Sequence, residues 1–354
     1  MSLRNPIKTM KSKGARVASA VLAAGLIAGT AGIASSATAG ASASGKTVDL
    51  VSCFDTNAWC TVYNHTAINY LTKHGVHVTY LQDPFNASTQ VQNLNTAIAN
   101  HPNLIVLLAS ASDSALIPGQ NAAKAAGIPL IYTNSHSMAQ KDVVSNINAG
   151  QCSLGQFGAD NLVSGLKAEH KAVRGNVVAI TGSAGVYTSS DRMSCFNKEL
   201  AKKGPGLNLV SVQDGNWDPT QSGQEYTAMV SQFGKNGIVG GIGMADYQTD
   251  GMIRAAIAAG QKVGVKNKGV VFSGTNCTVT GMNDIAAGTM WGDATQMPAY
   301  EGNLVAVNVL KYLNGGHIAR YINGVEHDIT ALNYKHYKAG CSQTAANANG
   351  TFAY

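Results

Sequence analysis

The sequence LIVLLASASDSALIPGQNAAKAAGIPLIY, residues 104–132, contains one complete strand–helix–strand unit. Its first six residues, 104–109, are all apolar, which is typical of a strand buried on both faces. A helical pattern follows over 114–126 and stops at Gly127, and a second apolar strand runs over 128–132. Such a unit predicts two parallel strands with the helix packed across them.

The same alternation continues along the chain on both sides of this unit. Strands are predicted at 47–52, 76–81, 104–109, 128–132, 176–181, 207–212, 238–242 and 269–273. Helices are predicted at 61–73, 87–100, 114–126, 152–170, 190–202, 221–233, 249–259 and 299–313. Buried strands that alternate with helices form a parallel sheet covered on both faces, and the pattern restarts after about residue 150. We therefore expect an α/β protein of two similar doubly wound parallel-sheet domains.

The N-terminal segment has the order of a secretory signal peptide. The first sixteen residues include five basic and no acidic side chains, an Ala- and Gly-rich run spans 17–34, and small-residue cleavage sites lie at 37–39 and 41–43. We expect a signal peptide over 1–39, or over 1–43 if the second site is cleaved, and an exported protein in the periplasm or outside the cell. An uncleaved anchor is the alternative, but the run is short and weakly apolar for a span. No cysteine precedes Cys53, so no lipid anchor on a leader cysteine is expected.

The leader also carries most of the net charge. The whole chain has 25 basic and 19 acidic residues, a formal charge of +6, and without the first sixteen residues 20 basic residues face 19 acidic ones. The chain after residue 16 is therefore nearly neutral and lacks the excess of basic residues that is typical of a nucleic-acid-binding protein. The whole chain has 45% hydrophobic and 12% charged residues, so we expect a packed globular protein without a nucleic-acid partner.

Six cysteines form an even set, which in an oxidising compartment favours three disulfides over metal ligation. Fifteen pairings are possible. The predicted pairs are Cys53–Cys60, Cys152–Cys195 and Cys277–Cys341. The first pair brackets a strand-to-helix loop, the second would join two helices that flank one strand, and the third would tie down the C-terminal tail. The sequence contains no C-x-x-C or H-E-x-x-H spacing, so no metal site is expected.

The segment GASASGKT, residues 40–47, matches the phosphate-binding pattern G-x-x-x-x-G-K-T. A phosphate-binding loop of this kind connects a strand to a helix. Here the motif follows the leader and continues into a predicted strand, so we expect no nucleotide site and no cofactor.

Polar and aromatic residues follow the predicted strands, where ligands bind in open α/β sheets. The segments are FDTNAW at 54–59, TNSH at 133–136, TGS at 181–183, DGNWD at 214–218, MADY at 244–247 and GTNC at 274–277. Trp59 and Trp217 fall one in each predicted domain, each beside Asn and Asp. A tryptophan in a loop is commonly a buried anchor, but this pair favours a flat ligand held between two rings.

Four further segments are similar to the patterns of one known family. They are IPLIYTN at 128–134, DRMSCF at 191–196, GMIRAAIAAG at 251–260, and GTM at 288–290 followed by QMP at 296–298. In this order and spacing the chain resembles the exported sugar-binding proteins of ABC transporters, of the ribose-binding-like type I class.

The resemblance implies two domains that close on a three-segment hinge, with crossings near Asn148, Gln296 and Val325. The first domain would comprise 46–148 and 297–325, and the second 149–296 and 326–354. The helix at 299–313 would then return to the first domain.

The resemblance also implies roles for individual residues. Trp59 and Trp217 would stack on the two faces of a sugar ring, while Arg192, Asn276 and Gln296 would hydrogen-bond its hydroxyls and ring oxygen. The candidate ligand-binding residues are Asp55, Asn57, Trp59, Asn134, Arg192, Trp217, Asp246, Asn276 and Gln296. The family's usual Asp-Arg pair is here Asn134 with Ser135, and its later Asp is Asn276. The site is therefore less charged than is usual for the family, which suits a neutral polyol.

On these grounds we expect a monomeric solute-binding protein, not an enzyme, that delivers a small sugar or polyol to an ABC transporter permease. A secreted enzyme is one alternative, although no G-x-S-x-G elbow or glycosidase signature is present. A chemoreceptor-coupled binding protein for a non-sugar ligand is another. A transcription regulator would need a helix-turn-helix where the leader stands.

Overall fold

The computed structural model describes residues 42–110, 112–344 and 347, and the predicted signal peptide over 1–39 lies outside them. The strands in this part of the chain are β1 (Thr47–Cys53), β2 (His77–Asp83), β3 (Leu104–Leu108), β4 (Leu130–Thr133), β5 (Ser145–Asn148), β6 (Arg174–Thr181), β7 (Gly206–Asp214), β8 (Gly240–Gly243), β9 (Val271–Ser273), β10 (Gly292–Ala294), β11 (Tyr321–Asn323) and β12 (Asp328–Thr330). The α-helices are α1 (Ala58–Lys73), α2 (Ala87–Ala99), α3 (Ile117–Ala125), α4 (Gln151–Ala168), α5 (Tyr187–Lys203), α6 (Pro219–Phe233), α7 (Asp246–Ala258), α8 (Val279–Ala287), α9 (Pro298–Leu313) and α10 (Tyr334–Cys341).

The first sheet has the strand order β11-β5-β4-β3-β1-β2, and all of its neighbouring strands are parallel. All five residues of β3 are buried, as the apolar run at its position predicts. The strand order reverses between β1 and β3. At such a switch point the loops after neighbouring strands diverge and leave a crevice at the carboxyl ends of the strands.

The second sheet repeats this order as β12-β10-β9-β8-β6-β7. Its strands are parallel except for β12, which runs antiparallel to β10 at the edge. This edge strand follows a crossing from the other sheet rather than a helix of its own sheet. The two similar doubly wound domains expected from the sequence are confirmed.

Helix α1 begins three residues before the predicted start at 61. The side-chain oxygen of Asn57 accepts the backbone N–H groups of Trp59 and Cys60, at 3.0 and 3.1 Å, so Asn57 is the N-cap. This cap turns the chain directly from β1 into α1 and places Trp59 in the first helical turn.

In the described part of the chain, four strands and two helices were not predicted from the sequence patterns. Strand β5, with the sequence SNIN, is polar at three of its four positions although all four are buried. Strands β10, β11 and β12 have three residues each, too few to show a period of two. Helices α8 and α10 have nine and eight residues, below the length at which a helical period is distinct.

The chain passes between the two sheets three times, at 149–150, 295–297 and 324–327. After the second crossing, α9 packs against α1 of the first domain. The carboxyl group of Glu326, in the third crossing, accepts from Thr295 Oγ1 at 3.3 Å and from the backbone of Gly150. Burial raises the pKa of Glu326 to about 7. One side chain therefore joins all three crossings.

The three predicted disulfide pairs are present: Cys53–Cys60, Cys152–Cys195 and Cys277–Cys341, with Cα–Cα distances of 5.9, 5.2 and 4.9 Å. The first joins the end of β1 to α1, the second joins α4 to α5, and the third joins the loop after β9 to α10. Within the described ranges, no helix is long and apolar enough to cross a membrane.

Candidate ligand-binding site

A cavity lies between the two domains, at the carboxyl ends of their strands. Both domains contribute to its wall, as expected for two crevices that face each other. The described lining residues are Cys53, Trp59, Cys60, Phe85, Leu108, Ala109, Ser110, Asn134, Val186, Thr188, Arg192, Trp217, Tyr247, Asn276 and Gln296. None of these side chains carries a carboxylate.

Arg192, in the second turn of α5, is the central polar group of the wall and is only 1% exposed. Its Nε and Nη atoms donate to Gln151 Oε1 (2.6 Å), Met244 O (2.5 Å), Thr275 Oγ1 (2.8 Å), Asn276 Oδ1 (2.7 Å) and Gln296 Oε1. Burial lowers the pKa of Arg192 to about 10, so the guanidinium stays charged at neutral pH. Every acceptor is a neutral oxygen, so dipoles stabilise the cation directly, and the acidic groups of Glu301, Glu326 and Asp293 nearby also favour the charged form.

Two indoles enter the wall from opposite domains. Trp59 stacks on Tyr63, with ring centroids 4.9 Å apart, and its Nε1 donates to the carbonyl of Gln296 at 2.9 Å. Trp217 lies against Gly182, where a methyl group would be 1.9 Å from the indole Cε2. The Arg192 Cζ lies 5.6 Å from the Trp217 ring centroid, within range of a cation–π contact. Only glycine at position 182 permits this placement of the indole.

Four lining residues have a left-handed backbone, with φ of 55° at Phe85, 60° at Asn134, 57° at Trp217 and 98° at Asn276. Asparagine tolerates this region, but for a bulky residue such as tryptophan it is a genuine outlier. Backbone strain of this kind persists only where the surrounding structure holds it, and it concentrates at ligand sites. The strain at Trp217 therefore favours a role in binding over that of an ordinary core anchor.

Hydrogen bonds cross the cavity from one domain to the other. Thr188 Oγ1 donates to the carbonyl of Asn134, and Asn57 Nδ2 donates to the carbonyl of Trp217 at 3.3 Å. Gln296, in the second crossing, donates from Nε2 to Asn134 Oδ1 at 2.8 Å. The two domains are thus in a closed arrangement with the cavity between them.

Six of the nine candidate residues line this one cavity: Trp59, Asn134, Arg192, Trp217, Asn276 and Gln296. Asn57 lies just behind it as the cap of α1. Asp55 does not reach the cavity, because its carboxylate accepts from Tyr80 and lies 3.0 Å from the His65 ring nitrogen on the outer side of the loop. The placement of Asp55 at the ligand is therefore not supported.

Asp246 is also absent from the wall, since its carboxylate accepts the backbone N–H groups of Tyr247 (2.7 Å) and Thr278 (2.5 Å). It is fully buried, and its carboxyl group lies beside that of Asp293. Burial raises the pKa of Asp246 to about 6, and burial with the neighbouring Asp246 charge raises the pKa of Asp293 well above its usual range. The candidate role of Asp246 is corrected: it holds the two loops that carry Tyr247 and Asn276.

Phe85, Ser110, Thr188 and Tyr247 also line the cavity but are not among the nine candidates, although Tyr247 lies in the strand-end segment 244–247. Tyr247 hydrogen-bonds Asn57 and Asn276, and burial raises its pKa. The strand-end rule could have found Phe85 and Ser110, because they follow β2 and β3, whose loops were not considered. Thr188 has no such signal, since it lies inside a helix.

The model of the periplasmic binding protein domain matches residues 48–317. The chain belongs to the periplasmic binding protein family. Among curated proteins no sequence matches this periplasmic binding protein. Its structure is similar to that of a galactofuranose binding protein, with a TM-score of 0.76 and 15% identity over 85% of this chain and 99% of the other.

Two further solved structures have the same fold. The arabinose ABC transporter component from Shewanella sp. ANA-3, bound to L-arabinofuranose, has a TM-score of 0.75 and 17% identity over 87% of this chain and 99% of its own. The Caulobacter myo-inositol binding protein has a TM-score of 0.74 and 19% identity over 82% and 95%. At these identities the similarity establishes the fold, so the type I architecture expected of this periplasmic binding protein is confirmed.

Proposed function

We propose that this periplasmic binding protein is exported, captures a small neutral sugar or polyol between its two closing domains and delivers it to an ABC transporter permease. The observation that carries the proposal is the composition of the cavity wall. Two indoles from opposite domains and a set of amides and hydroxyls line it, and none of its described residues is acidic.

This wall suits a sugar ring for two physical reasons. The apolar faces of a pyranose, furanose or inositol ring pack on indole rings, which removes them from water. Amide and hydroxyl groups both donate and accept, as sugar hydroxyls do, and a neutral wall requires no charge on the ligand. The galactofuranose, L-arabinofuranose and myo-inositol named for the similar structures belong to this chemical class.

The proposed domains are 46–148 with 297–325 and 149–296 with 326–354, closing about the three crossings. Glu326 and Gln296 lie in two of these crossings, and Gln296 also lines the cavity. Closure would therefore form the hinge contacts and the ligand contacts together.

Export by a cleaved leader is part of the proposal. Of the two cleavage sites, the one after Ala39 is favoured over the one after Ala43. Ala43 is 2% exposed, and its N–H donates to Asn314 Oδ1 at 2.8 Å, so it is packed into the body of the protein. Mass spectrometry of the exported protein should find an N-terminus at Gly40, and an intact leader on membrane-bound protein would contradict export.

Calorimetric titration with L-arabinose, D-galactose, myo-inositol and uridine tests the ligand class, with product analysis after long incubation. We expect one of the sugars or polyols to bind with a dissociation constant in the micromolar range or below and to be recovered unchanged. Asn276→Ala should weaken that binding, whereas Asp55→Asn should leave it unchanged, because Asp55 lies outside the cavity. No binding of any sugar or polyol, or conversion of one into a product, would contradict the proposal.

The same preparation tests the oligomeric state. Light scattering should give the mass of one mature chain with and without the ligand.

A further inference from the structure

The N-terminus of α5 is capped by a residue of the other domain. The N-cap position of α5 is Val186, whose side chain cannot accept a hydrogen bond. The backbone N–H of Tyr187, the first helical residue, instead donates to Asp113 Oδ2 at 2.5 Å. Asp113 follows β3 in the first domain, and α5 lies between β6 and β7 in the second. A helix of one domain thus takes its capping acceptor from the facing domain.

The Asp113 carboxylate is held in place from its own side of the cleft. It accepts from the hydroxyl groups of Tyr132 and, at 3.1 Å, Ser135, both in the first domain. Its own backbone N–H donates across the cleft to the carbonyl of Gly185 at 3.2 Å. Asp113 is only 2% exposed. Two hydroxyl groups of its own domain therefore hold the acceptor.

A carboxylate at this point interacts with the helix in two ways. It satisfies one of the N–H groups that an α-helix leaves unpaired at its start, and its charge opposes the positive end of the helix dipole. Hydrogen bonds between a charged acceptor and a backbone N–H are also stronger than neutral ones. If the domains separated, Tyr132 and Ser135 would stay with Asp113, but the Tyr187 N–H would lose its partner.

Helix α5 carries two residues of the cavity wall. Thr188 follows Tyr187 directly, and Arg192 lies one turn further along the helix. The position of the helix start therefore sets where these two side chains stand when the cavity closes.

We propose that Asp113 is a positioning residue that acts as a latch: it caps α5 across the cleft, selects the closed arrangement and slows release of the ligand. This inference rests on the proposed function only in its ligand readout.

Substitutions at Tyr187 can remove the donor without touching Asp113. Proline is well tolerated at the first helical position but has no N–H, so Tyr187→Pro deletes the donated hydrogen. The Tyr187 ring also contacts His136 of the first domain, with centroids 4.5 Å apart. Tyr187→Ala is the matched control, because it loses the ring and keeps the N–H.

Stopped-flow dissociation of the tightest-binding panel sugar provides the ligand readout. With Asp113 present, we expect Tyr187→Pro to release the sugar about tenfold faster than Tyr187→Ala. In the Asp113→Ala background the two should release it at the same rate. Asp142→Asn controls for charge, since Asp142 pairs with Lys124 of the same domain at 2.7 Å, and it should behave like the parent. Equal rates for the proline and alanine variants with Asp113 present would overturn the latch and leave the proposed function standing.

Hydrogen exchange at the Tyr187 amide needs no sugar and tests the cap if no panel compound binds. In the sugar-free protein this amide should exchange at least threefold more slowly in the parent than in Asp113→Ala or, if that variant does not fold, Asp113→Asn. Equal exchange rates would overturn the inference, whereas failure of the parent to bind any panel compound would overturn only the proposed function.

Discussion

The substitution Gly182→Ala should weaken ligand binding because it displaces the Trp217 indole from the cavity wall. Gly182 follows β6, and a methyl group there would lie 1.9 Å from the indole Cε2 and 2.0 Å from Cζ2. Carbon atoms in ordinary contact are about 3.5 Å apart, so the indole must move by about 1.5 Å. Its backbone is already in the strained left-handed region, and the side chain is only 7% exposed. The indole therefore has little room to adjust and must leave its place in the wall.

The expected loss follows from the contact that disappears. A central aromatic anchor contributes on the order of 2 to 3 kcal/mol to binding, so Gly182→Ala should weaken the affinity roughly thirty- to a hundred-and-fifty-fold. Overpacking should also lower the free energy of unfolding by about 1 to 3 kcal/mol.

Calorimetry with the tightest panel sugar, combined with denaturant unfolding in the absence of sugar, separates the two effects. Trp217→Ala should lose a similar affinity on its own. In that background Gly182→Ala should cost nothing more, because there is no indole to displace. Unchanged affinity in a folded Gly182→Ala protein, or a full further loss in the double variant, would refute this account of the wall.

Three further outcomes are expected. Asn276→Ala should weaken binding by about 1 to 3 kcal/mol, and titration of deoxy analogues should show the smallest loss for a ligand that lacks the hydroxyl it contacts. Replacing Cys53 and Cys60 by serine opens a loop with a sequence separation of 7, which chain entropy predicts to cost about 2.4 kcal/mol of unfolding free energy, and equal denaturant midpoints would contradict this. Burial beside Asp246 raises the folded-state pKa of Asp293, so the native state binds more protons than the unfolded state and loses stability as the pH rises above about 4. Asp293→Asn removes that loss, so its stability relative to the parent should increase between pH 4 and pH 8 in unfolding titrations.

Local sequence patterns were sufficient to predict the fold class and part of the candidate site. The apolar run at 104–109, followed by a helical period and a second strand, is readable because burial on both faces leaves no polar position in a strand. The pairing of Cys53 with Cys60 follows from their short separation. Trp59 and Trp217 could be placed because parallel strands bring the loops at their carboxyl ends to one edge of the sheet.

Contacts between residues far apart in the sequence could not be predicted, and only the structure shows them. Asp55 and Asp246 both follow strands, and only the N–H and hydroxyl groups around them show that their carboxylates are occupied away from the ligand. The polar side chains of strand β5 hydrogen-bond residues of nearby loops such as Ser137 and Ala319, so no hydrophobic period marks this strand.

The cap of Asp113 on α5 joins residues 74 positions apart and on different domains. Periodicity and composition indicate which residues of a segment face solvent and which face the core, and they identify segments that must be buried. Which acceptor meets which donor depends on how the two domains face each other, and that is decided by packing and by the three crossings rather than by any local run of residues.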